Sequence, residues 1–440
     1  MKTLFFCARN FSDYIVLENK RELLAKVGNV TMRDLLTDAS TQKFFRDKMK
    51  FYPDCEPALN APICGETDID GLRLDFNFGL RLEIPTGNFH VTIIDADSGQ
   101  IFLDEDLSDV RLISVEKYFI RWQIDVSLSG RKIFSHTFDA ENQSVTVAVR
   151  LTGMGDIISL LPHIRAFKQF HRCDVRIWLR EYMREFVAHL YPDLPQIDTV
   201  TFDSYATYYP TMCINEYPIV PFDVRNEPME RSHRKVFGLD ILPPKPTFKP
   251  TMPPVTEEPY VCIGVQASTT IKGWLYPGGW EIVVDYLKWL GYRVFCIDKH
   301  IEETNDDRTI LKPEGAEDFT GDFSIMERAN MLYHAEFFIG LSSGLSWLAD
   351  AVNCPVVMIC GFSQDWFEFY TPYRVANRLV CNGCLNDIRV NFVWDVCPYH
   401  KKTARELECQ TKITPQQVIA AIERLIVDRS STPSNMTRRI

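Results

Sequence analysis

The stretch Ser144–Phe170, SVTVAVRLTGMGDIISLLPHIRAFKQF, decides the fold. It opens on SVTVAVRL, an apolar run suited to a buried strand, and turns through TGMGD. It then continues as a helix with Ile157, Leu160, Leu161, Ile164 and Phe167 on one stripe. Pro162 is expected near the first turns of that helix, where a missing N–H is tolerated. CDVRIWLR (173–180) reads as the next strand and EYMREFVAHLYP (181–192) as the next helix. Strand, loop, helix, strand is the opening of a parallel α/β sheet.

Outward from this unit, seven prolines fall in residues 243–259 and make a stiff, extended connector. The alternation then restarts: YVCIGVQA, YRVFCID, FFIG and PVVMICG as strands, with PGGWEIVVDYLKWLG, SIMERANMLYHA and LSWLADAV as helices. On the other side, LRLDFNFGLRLEI, FHVTIIDADSG, YFIRWQIDVSLSG and RKIFSHTFDA each read as a strand ending in a turn. With no helices between them they indicate an antiparallel sandwich or barrel. Helical pieces are expected around Lys20–Val27 and Met32–Met49. The organisation predicted is an N-terminal extension (1–50), a β-rich domain (51–143), a first Rossmann-like domain (144–242) and the proline linker (243–259). A second Rossmann-like domain (260–380), a four-cysteine module (381–412) and a C-terminal helix and tail (413–440) follow. Two facing Rossmann-like domains describe the α/β architecture called GT-B, and a fold alone does not give a reaction.

With 48 basic and 59 acidic residues, the net charge of −11 disfavours a broad nucleic-acid surface. No run of 18 apolar residues is present, so no membrane span is expected. The apolar part of MKTLFFCARN is too short for a signal peptide, which leads to the expectation of a cytoplasmic protein.

Three loops at strand ends could carry chemistry. In Thr152-Gly153-Met154-Gly155-Asp156 the glycines allow close approach of a ligand, and the helix starting near Asp156 offers its N–H groups to an anion. Asp156 is either the cap of that helix, a position aspartate favours, or a carboxylate facing the cleft. Gln266–Trp274 places Ser268, Thr269 and Thr270 beside Lys272, a point charge suited to a diphosphate; the plainer reading is a solvated turn. Gly340–Trp347 repeats the pattern with Ser342, Ser343, Gly344 and Leu345, and there Ser343 is equally a helix cap.

Of thirteen cysteines, Cys381, Cys384, Cys397 and Cys409 fall within 29 residues. One C-x-x-C knuckle with two later thiols suits a tetrahedral four-thiolate metal site. Spacing alone suggests zinc, although such a site also suits iron, and unrelated free thiols are the alternative. His400 stands close enough in sequence to replace one ligand. The segment has few apolar residues, so metal loss is expected to lower stability or assembly while leaving the Asp156 cleft intact. Phe392 and Trp394, if exposed, would form an apolar patch for subunit contact; the alternative is packing on their own domain.

Gly153–Asp156, Ser268–Trp274 and Gly340–Ala351 resemble the loops of ADP-heptose-dependent heptosyltransferases. The β-rich stretch LRLDFNFGLRLEIPTGNFHVTIID, the Ser-Ser-Gly-Leu-Ser-Trp loop and the C-terminal cysteines are similar to those of bacterial autotransporter heptosyltransferases. The resemblance covers roughly residues 52–425. It implies inverting transfer of heptose from ADP-heptose to Ser or Thr hydroxyls of an autotransporter passenger protein. Asp156 would be the general base, the three loops would bind the donor, and transfer would need no divalent cation. It also implies a structural iron on the four cysteines and a large homo-oligomer, such as a dodecamer. Ser342 and Trp347 stand where lipopolysaccharide-core enzymes have Asp and His, which favours a protein acceptor. A lipopolysaccharide-core-type heptosyltransferase or another GT-B nucleotide-sugar enzyme is the alternative. A non-catalytic, metal-stabilised scaffold is the second.

Overall fold

The computed structural model describes residues 1–7, 36–50, 52, 54–210, 220, 222–305, 308–390, 392–393 and 396–431. The helix expected around Lys20–Val27 and the residue Trp394 lie outside them. The N-terminal body contains β1 (Lys2–Phe6), helices α1 (Ala39–Met49) and α2 (Cys55–Asn60), β2 (Arg73–Asp75), β3 (Arg81–Ile84) and β4 (Phe89–Asp95). It is completed by β5 (Ile101–Leu107), β6 (Val110–Ser114), β7 (Trp122–Leu128) and β8 (Arg131–Thr137). One sheet has the order β1-β6-β3-β2 and the other β5-β4-β7-β8. Phe89, Val91 and Ile93 point inward with more open residues between them, the pattern of a half-buried strand. Phe6 of the first sheet meets Trp122 of the second edge-on at 6.2 Å between ring centroids, so the two sheets share a core.

Two sequence expectations need correction here. Lys2–Phe6 is not part of a separate extension: it pairs in parallel with β6 from Lys2↔Val110 to Phe6↔Ser114, burying Phe5 and Phe6. LRLDFNFGLRLEI is two strands, β2 and β3, because Gly79 at φ +66° turns the chain where a side chain would run into Glu116 O at 2.6 Å.

The first α/β domain comprises β9 (Ser144–Ala148), α3 (Met154–His171), β10 (Asp174–Trp178), α4 (Glu181–Leu190), β11 (Gln196–Ile197), β12 (Ala206–Tyr208) and α5 (Met229–Val236). Its strands are parallel, in the order β11-β10-β9-β12. Pro162 lies mid-way along the 18-residue α3 rather than in its first turns. Fully buried Leu160, Leu161, Ile164 and Phe167 hold the helix through it, offsetting a proline cost of about 3 kcal/mol.

The second α/β domain begins with β13 (Tyr260–Ile263), α6 (Gly279–Trp289), β14 (Arg293–Cys296), a hairpin of β15 (Glu302–Asn305) and β16 (Arg308–Leu311), and β17 (Glu317–Asp318). It continues through α7 (Ile325–His334), β18 (Phe338–Leu341), α8 (Gly344–Ala351), β19 (Val356–Ile359) and β20 (Arg374–Val375). Six parallel strands run β17-β14-β13-β18-β19-β20, and β13, β18 and β19 are buried along their whole length, as expected for a sheet covered on both faces. The short α9 (Glu408–Thr411) carries Cys409 of the cysteine module, and α10 (Pro415–Ser431) packs Val418, Ile422 and Leu425 into the core beside Val283 and Leu287 of α6. In each sheet the chain order reverses beside the first strand, β9 or β13, so loops leaving there diverge and open a crevice. The two-domain arrangement is GT-B. Among the described residues no helix is long and apolar enough to cross a membrane.

Candidate functional site

All three loops singled out in the sequence line one cleft of about 1590 Å³ between the α/β domains. The helix N-termini of α3 and α8 meet across it. Gly155 lies against Trp347, and Gly344 against Met154, each so close that a Cβ would come within 2.5 Å and 2.7 Å of the partner side chain.

The cap of α3 is Gly153, not Asp156: the helix starts three residues earlier than its apolar stripe suggests. Asp156 is therefore in the first turn, its carboxylate folded back over Gly153 and lining the cleft. Among the described residues no donor reaches that carboxylate. Burial pushes it above the ordinary carboxylate range, and the charge of Lys272 opposes the rise. Lys272 ends a single 3₁₀ turn, Thr270–Lys272, with its Nζ 5.9 Å from the Phe362 ring centroid. A carboxylate and a cation from different domains thus line one cleft.

Among the described residues, two hydroxyls in the cleft are buried without partners, Thr269 Oγ1 and Ser343 Oγ. Ser343 holds the cap position of α8, yet its side chain does not cap. A buried polar group left unpaired costs about 1–3 kcal/mol, so such a pair in a cleft wall suits the oxygens of a bound ligand. Ser342 differs: its hydroxyl donates to Glu368, and both residues line the cleft. Thr152, Gly153, Ser268, Gly344 and Leu345 also line the cleft, whereas the side chain of Thr270 lies outside the described part.

Sequence reasoning passed over Arg180 and Tyr182, at the end of β10. Arg180 Nε donates to Leu151 O at 2.9 Å and Tyr182 Oη to Thr152 O at 2.9 Å, fixing the glycine loop. Their position next to a strand end beside β9 was the available signal. Asp298, at the end of β14, accepts from the Val265 and Gln266 N–H groups at 2.7 and 3.2 Å, and burial pushes it up to about 6.

Cys381, Cys384, Cys397 and Cys409 line a second, small cavity of about 10 Å³. None is in a disulfide. Burial pushes Cys381, Cys384 and Cys409 up, and the charge that each thiolate would place on the others adds to it. Four cysteines around one small cavity fit a soft or borderline cation, which would stabilise the thiolates. Cys381, His400 and Glu408 also bring ligand atoms within 4.8 Å of one another, a competing ligand set. Phe392 is buried in the main core and forms no exposed patch.

Residues 69–130 match the family model for the N-terminal domain of glycosyltransferase TibC, and residues 228–389 match glycosyltransferase family 9 (heptosyltransferase). The autotransporter heptosyltransferase BAHTCr of Citrobacter rodentium is 38% identical over 368 residues, covering 81% of this chain and 89% of that one. Crystal structures of the iron-containing, dodecameric TibC of enterotoxigenic Escherichia coli, one in complex with ADP-D-β-D-heptose, superpose with a TM-score of 0.79 at 35% identity, over 84% of this chain and 99% of theirs. BimC of Burkholderia thailandensis, described as an inactive autotransporter heptosyltransferase, is 31% identical over 82% of this chain and 87% of its own length. The chain belongs to the autotransporter heptosyltransferases, a family of GT-B glycosyltransferases.

Proposed function

We propose that this protein transfers heptose from ADP-heptose to Ser or Thr hydroxyls of an autotransporter passenger in the cytoplasm, inverting the anomeric centre. The carrying observation is that Asp156 and Lys272 face each other across the domain boundary, with the unpartnered hydroxyls of Thr269 and Ser343 lining the same cleft. The acceptor oxygen attacks the anomeric carbon while Asp156 takes its proton. The bond to the β-phosphate oxygen breaks on the opposite face, and ADP leaves with the electron pair. A positioned carboxylate contributes about 10²–10⁴-fold to such a step. Lys272, the two hydroxyls and the N–H groups opening α8 stabilise the charge growing on the diphosphate. Lys272 supplies a cation there, so transfer needs no divalent ion.

BimC means that family membership alone does not secure turnover; here Asp156 and Lys272 lining one cleft support it. By similarity to TibC, the reading includes a homo-oligomer, dodecameric in that relative, and a structural iron held by Cys381, Cys384, Cys397 and Cys409. The iron would cross-link a segment that has little core of its own. The test is co-expression with a passenger domain in cells that make ADP-heptose, followed by intact mass. Shifts by whole heptose units support the reading, and an unmodified passenger rejects it.

A further inference from the structure

The segment that carries Cys409 also grips the loop that carries Lys272. Gln410 is fully buried, and its Nε2 donates to Ile271 O at 2.6 Å. Its own carbonyl accepts from the Leu275 N–H at 3.2 Å, and Trp274 Nε1 donates to Ile413 O at 2.9 Å. These three bonds bracket Lys272 on both sides in sequence. Under the ammonium lies Phe362, and its segment is held by the other half of the module. Leu385 N–H donates to Phe362 O at 3.0 Å and Gly383 N–H to Gly361 O at 2.8 Å, from the residues flanking Cys384. Gly361 leaves no room for a side chain, because Cys409 Cβ would be 2.9 Å away. Both walls around Lys272 are therefore anchored in residues adjoining the cysteine cage.

Gln410 is poorly explained by stability alone. Among the described residues its Oε1 is buried without a donor, so only its Nε2 is used, and Gln410→Leu exchanges that unpaired acceptor for an unpaired Ile271 carbonyl at little net cost in stability. We propose that the cysteine module positions Lys272 for the donor diphosphate, with Gln410 as the positioning residue. The proposal rests on the reading of Lys272 as a diphosphate ligand. It also revises the expectation that losing the metal leaves the cleft intact, because a slack Cys409–Gln410 segment releases the Ile271 carbonyl and lets the ammonium drift.

The test is calorimetric titration of ADP into metal-loaded full-length protein, comparing wild type, Gln410→Leu, Lys272→Ala and the double variant. Gln410→Leu is expected to weaken ADP binding about tenfold, with metal content, assembly mass and thermal midpoint kept. In the Lys272→Ala background the same substitution is expected to cost nothing further, since the group being positioned is gone. Trp274→Phe, which keeps an aromatic ring and removes one anchor, is expected to behave alike and serves if Gln410→Leu does not fold. Unchanged ADP binding in Gln410→Leu, with binding weakened in Lys272→Ala, overturns the positioning role alone. Equal losses in both backgrounds overturn it as well. Normal binding by Lys272→Ala overturns the diphosphate reading itself.

Discussion

Gly155 of the first α/β domain lies flat against the indole of Trp347 in the second, so near that a Cβ would stand 2.5 Å from Cδ1 and 3.1 Å from Nε1. Within one residue of this contact are Asp156 on one side and Ser346, whose hydroxyl donates to Leu341 O at 2.5 Å, on the other. The close approach of two helix starts sets the width of the cleft. Gly155→Ala is expected to destabilise by about 1–3 kcal/mol through overpacking. It should also lower kcat/KM, because Trp347 must move. Thermal unfolding and steady-state kinetics check both effects, and Trp347→Leu in the same chain should restore part of the loss.

Asp156→Asn tests the base directly. The amide keeps the shape and loses the proton acceptor, so ADP-heptose should bind normally while kcat falls about 10²–10⁴-fold. The wild-type rate should rise with pH as the carboxyl ionises, along a limb above the ordinary carboxylate range because burial opposes the charge. Lys272 favours the ionised form, so Lys272→Ala should move that limb to higher pH. A limb unmoved by loss of Lys272 would separate the two groups.

Much of this site was legible because its chemistry is local. A glycine turn, a hydroxyl-rich turn ending in Lys272 and a second glycine turn each follow an apolar strand, and parallel topology brings strand ends together. The features that escaped are those decided by distant partners. Lys2–Phe6 reads as a stray apolar run until β6 pairs with it. The hairpin Glu302–Leu311 has no apolar alternation, with β16 only alternating between half-buried and exposed. Asp156 reads as a cap because the apolar stripe begins at Ile157, while the helix itself begins at Met154. Nothing local marks Gln410, whose partner Ile271 lies 139 residues away.

A buried histidine pair stands behind the first turn of α3. Ser159 Oγ lies 2.9 Å from Asp156 O, to which it donates, and 2.8 Å from His233 Nε2, and the His163 and His233 rings are 5.4 Å apart. Burial lowers His163 to about 4 and holds His233 well below its ordinary value. The unfolded chain therefore binds more protons than the folded one as pH falls through the ordinary histidine range. Stability should drop over that window toward pH ~4, and rise with pH above it. His163→Leu and His233→Leu should each flatten the slope of unfolding free energy against pH, measured by denaturant titration. A slope unchanged in both would place the acid sensitivity elsewhere.

The two candidate metal ligand sets differ in membership, and this separates them. All of these residues line the same small cavity, but Cys381 belongs to both sets, Cys397 to the four-thiol set alone and His400 to the set with Cys381 and Glu408 alone. Glu408 already has partners: it accepts from the Cys381 N–H at 3.1 Å and forms an ion pair with Arg405. A carboxylate so engaged is the weaker ligand, and thiolates suit iron or zinc better than a mixed site of this geometry. Cys397→Ser is therefore expected to lose the metal and His400→Ala to keep it, with metal per chain read by elemental analysis. Metal loss should also lower stability by several kcal/mol, on the order expected when a cross-link supplies a segment's folding energy. Arg225 ties the module to the first domain, donating from Nη1 to Val390 O at 3.0 Å and accepting at its carbonyl from Asn386 Nδ2 at 2.9 Å. The metal-free variant should therefore loosen the domain contact as well, seen as faster amide exchange at Val224–Asn226. Metal retained in Cys397→Ser and lost in His400→Ala would assign the site to the mixed set instead.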